Sequence, residues 1–281
     1  MNVLSPRLPS FVAPCFGVTR AGESSLLITI ATPVGSQSIA PRLALDNGRF
    51  DDSTLDNLSL IDKNTLLLNL QTLINDNQVP WLTDSVLSYE SLLVEYNDKY
   101  INHYELVAYL QGLHIPRLNP SHDGDFDPTA LNIKTHVIPV CYDYDGPEKP
   151  HDREQIIAQT GLSLSQVISM HCERPYRIFA LGFMPSFAYL GELTPRLQIP
   201  RLANPRLKVP PGAVAIADNQ TAVYPSSTPG GWHIIGYTPI NLLKHPDFIF
   251  EAGQQIKFES ISVSEFTQYE KQAIQADQSH A

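Results

Sequence analysis

The residues of this chain whose types and spacing could do chemistry crowd into one stretch, Gly182 to Pro239. Three arginines, Arg196, Arg201 and Arg206, recur there every five residues. A guanidinium offers a planar fork of donors that matches a carboxylate or a phosphate, and it serves equally in salt bridges to acidic side chains. Gln220 and Thr221 set an amide beside a hydroxyl, and Tyr224 adds a phenol. Such groups can orient an amide-bearing ligand or tie down a neighbouring loop. Trp232, just after Pro229-Gly-Gly, is either a flat platform for a ring or a core residue. Upstream, His171 ends a helical stretch just before a strand. Its imidazole could carry a proton near neutral pH, or it could simply favour the helix C-terminal dipole.

Other chemistries lack their motifs. No GxxxxGK[ST] occurs, nor a GxGxxG after a strand, which argues against P-loop and dinucleotide sites. No GxSxG elbow and no HExxH is present. His171-Cys-Glu173 matches half of a zinc deaminase signature, but its P-C-x-x-C partner is missing. No Met-Lys-Met biotin attachment site is present. No metal site and no bound organic cofactor is expected.

The elements that must position these groups read as two units. In the first, Ser24–Ala31 reads as a strand, and the polar stretch Leu45 to Leu60 reads as a loop or a poorly ordered insertion. A helix follows from Lys63 to Ile74, with Leu66, Leu70, Leu73 and Ile74 on one face. Ser85–Tyr89 and Ser91–Tyr96 read as strands and His103–Leu113 as a second helix, giving a small α+β domain over 1–115. Residues 116–133, rich in Pro, Asp and Gly, read as a linker. The second unit, 134–281, opens with a β run at Thr135–Cys141. Two short helices follow, the second capped by Ser163 and Gln166 and running to His171. Then come short strands at Tyr176–Leu181, Ala213–Ala217, Thr221–Tyr224, His233–Tyr237 and Gln255–Phe258, and a polar tail from Gln268. Many short strands broken by Pro and Gly predict a mainly-β barrel or sandwich. The Pro- and Gly-rich punctuation of 182–239 builds either a shaped pocket or merely the turns of that barrel.

The chain has 281 residues, 43% hydrophobic and 17% charged, with net charge −10. That length supports cores without disulfide or metal staples. The negative charge argues against nucleic acid and anionic membranes as partners. Three widely spaced cysteines with no CxxC pair suit a reducing compartment. No signal peptide and no long apolar span is read, so a cytoplasmic location is expected.

The segment Tyr176–Pro239 resembles the family of allophanate-hydrolase subunit 1, the Kip-type inhibitors and the B-type subunits of 5-oxoprolinase. The resemblance rests on elements in order: Gly182–Leu190 (GFMPSFAYL), Pro195–Leu197, Val209–Gly212, Ile216–Thr221 and Tyr224–Pro239. His171 matches the His before the family's Y-R-V strand. Ser186, Asp218 and Ala222 stand at usual Gly positions, and Ala188, Thr194 and Tyr237 replace a frequent Pro, Asp and Arg. The resemblance implies a cyclophilin-like β-barrel behind an α+β domain. It also implies C-type and A-type partner subunits and ATP-dependent opening of 5-oxoproline to glutamate, with ATP and magnesium as cosubstrate. On that reading His171 and Arg206 are the catalytic candidates. Phe183, Tyr189, Arg196, Gln220, Thr221, Tyr224 and Trp232 would bind the lactam. The same resemblance admits a Kip-type inhibitor of a sensor histidine kinase, or a carboxyltransferase-like subunit acting on urea or another small amide.

Overall fold

The computed structural model describes residues 16–30, 58–113, 133–146 and 148–279. The chain divides into two compact units on either side of residue 127. The polar stretch expected at 45–60 and the linker expected at 116–133 lie almost wholly outside the described residues.

The first unit holds an antiparallel sheet. Its strands are β1 (Phe16–Arg20), β2 (Ser25–Ile30), β3 (Leu82–Leu87) and β4 (Ser91–Tyr96), in the order β1-β2-β4-β3. Leu26, Ile28 and Ile30 alternate inward on β2, as Leu92, Val94 and Tyr96 do on β4. Helix α1 (Leu60–Asp76) presents Leu66, Leu67, Leu70 and Ile74 as its buried apolar positions. It starts where Ser59 and Asp62 form a reciprocal capping box. The buried amide of Asn64 reaches from it to the Ser88 carbonyl at 2.9 Å. Helix α2 (His103–Gln111) begins with the same device, built from Asn102 and Glu105.

The second unit is a nearly closed barrel. Its strands are β5 (Thr135–Val140), β6 (Tyr176–Leu181), β7 (Ala188–Gly191), β8 (Arg206–Val209), β9 (Ala213–Ala217), β10 (Gln220–Val223), β11 (Thr228–Gly230), β12 (His233–Tyr237) and β13 (Gln255–Ser260). Seven of them form one sheet in the order β12-β9-β10-β7-β6-β13-β5, and β8 and β11 pair separately. Among the described strands, only β5 and β13 run parallel. Beyond the end of β5, Cys141 exchanges two backbone hydrogen bonds with Tyr237, at 2.8 and 3.0 Å, and so joins the two edges of the sheet.

Each face of that sheet has its own core. One gathers Val140, Ile178, Leu190, Ile216, Ile235 and Phe258 with Ile156 of helix α3 (Arg153–Thr160) and Val167 of helix α4 (Leu164–Cys172). The other is paved by alanines, Ala213, Ala215 and Ala217 on β9 and Ala222 on β10, which leave room for large rings above them. The polar tail expected from Gln268 is instead part of a helix, α5 (Val263–Ser279). Ser262 and Glu265 cap it: the Ser262 N–H meets the Glu265 carboxylate at 2.8 Å, and the Glu265 N–H returns to the Ser262 hydroxyl. Phe266, fully buried, docks this helix against Tyr144 at 4.3 Å between rings.

Candidate functional site

Two polar arrangements stand out, one on each face of the barrel sheet. The first surrounds His171, the last buried residue of α4. Its ring is fully buried and stacks on Phe258 at 4.5 Å. Nε2 lies 2.9 Å from the Thr221 hydroxyl and Nδ1 lies 2.6 Å from the Tyr142 hydroxyl. Thr221 donates its one proton to the Ala215 carbonyl at 3.0 Å. It must therefore accept from Nε2–H, which leaves Nδ1 to accept from Tyr142. The thiol of Cys172, 3.3 Å from Tyr142, completes the chain as a donor. Every member is satisfied, and burial pushes the imidazole down to about 3. His171 is thus a neutral ring sealed inside the core, with no free nitrogen to offer a ligand.

The second arrangement lies on the alanine-paved face. Phe187, buried just before β7, is its hub. Its ring sits 4.8 Å from Tyr189, 5.4 Å from Tyr224, 6.1 Å from Trp232 and 5.3 Å from Phe183. Tyr189 and Trp232 also meet edge to face at 6.2 Å. Phe183 is 61% exposed and its backbone takes φ 68, a region unfavourable for a large side chain. The Tyr224 hydroxyl lies so close to the backbone of Gly230 that a Cβ there would come within 2.7 Å of it. Burial holds the Tyr224 phenol protonated, up at about 12, with Arg201 and Arg206 close enough to pull the other way.

The arginines differ sharply. Arg206, at the start of β8, pairs with Asp152, whose carboxylate is almost wholly buried and also accepts from the Ile234 N–H at 2.7 Å. Its Nη1 is buried and meets no acceptor among the described residues. Arg201 lies in the loop before β8 with its guanidinium 5.9 Å from the Trp232 ring centre, and its Nε is 3.5 Å from Asp218. Arg196 is exposed on the turn Pro195–Leu197 and joins none of these contacts.

The structure therefore brings together Phe183, Tyr189, Arg206, Tyr224 and Trp232 of the expected residues. Gln220, half-buried, pairs with Ala217 and so shares that face. Thr221, one residue on, points to the opposite face and is committed to His171. Sequence reasoning missed Phe187 and Asp152 and did not single out Arg201. Phe187 sits inside the same GFMPSFAYL element, a legible signal; Asp152 is 54 residues from Arg206 and gave none. Among the described residues no three His, Cys, Asp or Glu side chains gather as a metal site would need. Arginines and phenols also do not fit Mg²⁺, which takes carboxylate oxygens. No helix among the described residues is long and apolar enough to cross a membrane.

Residues 53–247 match the family model described as carboxyltransferase domain, subdomain C and D. A Bacillus subtilis protein that bears the name of the 5-oxoprolinase B subunit is 33% identical over 71% of this chain and 84% of its own length. The crystal structure of TTHA0988 superposes with a TM-score of 0.59 at 30% identity, covering 72% of this chain. This chain spans only 37% of that longer one. Kluyveromyces lactis urea carboxylase shares the fold, with a TM-score of 0.57 at 15% identity over 92% of this chain and 23% of its own. The match across most of the chain, in both the family model and the relatives, means that this protein belongs to the carboxyltransferase C/D-domain family that contains the 5-oxoprolinase B subunits.

Proposed function

We propose that this chain is the B-type subunit of an ATP-dependent 5-oxoprolinase, acting with C-type and A-type subunits in the cytoplasm. The barrel is read as cyclophilin-like, and its aromatic and arginine face as the part of the site that holds the lactam. The observation that carries the reading is the 33% identity across most of a protein bearing that subunit's name. The chemistry of the face agrees with it. Tyr189 and Trp232 give walls for a small ring, an arginine can hold the ligand carboxylate, and the protonated Tyr224 can donate to the lactam oxygen.

A five-membered lactam resists water because resonance stabilises its amide. In the proposed reaction the lactam oxygen attacks the γ-phosphorus of ATP and ADP leaves. Water adds to the activated ring carbon, the ring C–N bond breaks with the nitrogen taking a proton, and a second water releases phosphate to leave glutamate. This chain contributes position and charge, as phosphoryl transfer demands. ATP and its magnesium are proposed to bind on the partner subunits. His171 is proposed to hold β10 in place through Thr221 rather than to carry a proton to the substrate. Of the expected amide-orienting pair, Gln220 alone faces the lactam side.

The test is reconstitution of this chain with its C-type and A-type partners, followed by assay of glutamate and ADP from 5-oxoproline and ATP. Coupled products that require this chain support the reading. A stable complex without turnover overturns the substrate.

One observation favours a second reading, a binding role like that of the Kip-type inhibitors. An open cleft of about 710 Å³ runs between residues 181–187 and 242–250, and Leu243 and Ile249 stand exposed along it.

A further inference from the structure

We infer that Arg201 is the residue that takes the ligand carboxylate, and that Asp218 is an internal carboxylate which occupies Arg201 until the ligand displaces it. The inference rests on the proposed lactam-binding face and deepens it.

Three arginines were available for this role, and the structure separates them. Arg196 is outside the face. Arg206 is already neutralised by the buried Asp152. Arg201 remains, and its surroundings are built to present it. The Ile199 carbonyl accepts from the Asp218 N–H at 2.7 Å. The Pro200 carbonyl accepts from Nε2 of His233 at 3.0 Å. The Leu202 N–H donates to the Gly231 carbonyl at 2.7 Å. Three bonds therefore pin the backbone on both sides of Arg201 to two segments of the barrel, the turn at Asp218 and the stretch Gly231–His233, while its side chain stays 60% exposed. A fixed root with an open guanidinium is the arrangement that lowers the ordering cost of binding an anion.

The Arg201–Asp218 pair is poor by comparison with what a ligand can offer. It uses one nitrogen, Nε, at 3.5 Å, between two exposed groups. Exposed pairs of this kind are weak. A ligand carboxylate can meet the guanidinium with two parallel hydrogen bonds, over the face of Trp232. Asp218 itself takes φ 52, which glycine enters more readily. Aspartate tolerates that region better than most side chains, and the tight β9–β10 turn thereby sets its carboxylate beside Arg201. Its effect is to set a threshold: a carboxylate ligand must out-compete Asp218, and a neutral lactam meets an already paired arginine.

The experiment measures binding of 5-oxoproline and of 2-pyrrolidinone, the same lactam without the carboxylate, to the full chain by calorimetry. Arg201→Ala should weaken 5-oxoproline binding by about ten- to hundredfold. Asp218→Asn should strengthen it by about two- to fivefold. Arg201→Lys should retain part of the affinity, and in Arg201→Ala the Asp218→Asn change should have no further effect. Binding of 2-pyrrolidinone should respond to none of these. Both residues are exposed, and an unfolding midpoint measured for each variant separates loss of fold from loss of binding. Binding of 5-oxoproline that ignores Arg201→Ala overturns the inference and leaves the lactam site standing. Loss with Arg201→Ala but no gain with Asp218→Asn overturns the role of Asp218. Failure of every form, wild type included, to bind 5-oxoproline overturns the lactam site itself.

Discussion

Thr221 accepts the Nε2–H of His171 at 2.9 Å and passes its own proton to the Ala215 carbonyl at 3.0 Å. Helix α4 is thereby tied to β10 and β9 by one unbroken line of donors and acceptors. Thr221→Val keeps the shape but leaves the buried Nε2–H without an acceptor. Unfolding in urea should show a loss of about 1–3 kcal/mol. Thr221→Ser, which keeps the hydroxyl, should lose clearly less. Equal losses for the two variants would place the effect in packing rather than in the hydrogen bond.

Stability should depend on pH through the same ring. Burial holds the His171 imidazole at about 3, against 6.5 for a free one. Between these values the unfolded chain binds a proton that the folded chain refuses, so stability rises with pH across that window. The contribution is complete above pH 6.5 and is lost progressively as pH falls toward 3. One proton corresponds to a slope of about 1.4 kcal/mol per pH unit. Urea unfolding at a series of pH values between the two limits should show it, and His171→Gln should flatten the slope by up to that amount. A slope that His171→Gln leaves unaltered would rule this origin out.

Arg206→Ala should damage the fold before it tells anything about ligand. The change strands the Asp152 carboxylate, which is 2% exposed, with only the Ile234 N–H for support. Breaking one side of a buried pair costs about 3–5 kcal/mol. Arg206→Ala combined with Asp152→Asn should recover a substantial part of that loss, as read from the unfolding midpoint. If the double variant is no more stable than Arg206→Ala alone, the pair is not what anchors this corner.

Gly230 and Gly231 give a paired test of the aromatic face. A Cβ at Gly230 would lie 2.7 Å from the Tyr224 hydroxyl and 3.0 Å from Val209 Cγ2. At Gly231 it would meet Pro205 at an ordinary 3.5 Å. Gly230→Ala should therefore lose about 1–3 kcal/mol through overpacking. It should also weaken 5-oxoproline binding, because Tyr224 must move. Gly231→Ala should be tolerated in both measurements. Matching behaviour of the two would show that Tyr224 has slack which the geometry does not suggest.

The strands at Ser91–Tyr96, Tyr176–Leu181, Ala213–Ala217 and His233–Tyr237 were legible to the residue, because apolar runs bounded by turn residues carry their own local signal. Helix α4 and its Ser163–Gln166 cap were legible for the same reason. Strand β1, strand β7 and the β8–β11 pair were not. They are short, and β8 and β11 hold their partners across Pro- and Gly-rich sequence. Helix α5 reads as a tail although Ser262 and Glu265 spell its start. Its exposed face is strongly polar, and Phe266 marks the side that docks.

Residue type alone determined that arginines, phenols and a tryptophan within 182–239 would be the groups available for chemistry. It also determined that many short strands would carry them, since turn chemistry and apolar runs are local properties. Tertiary structure decided which of those groups can act together. Pairing across β9 and β10 sent Thr221 into the core to meet His171 and left Gln220 on the other face. A contact across 54 residues matched Arg206 to Asp152. Hydrogen bonds from the turn at Asp218 and from the stretch Gly231–His233 then held Arg201 open above Trp232. Charge and hydrogen-bonding capacity are written in each side chain, but whether a group is spent inside the fold or left free depends on partners that only folding brings near.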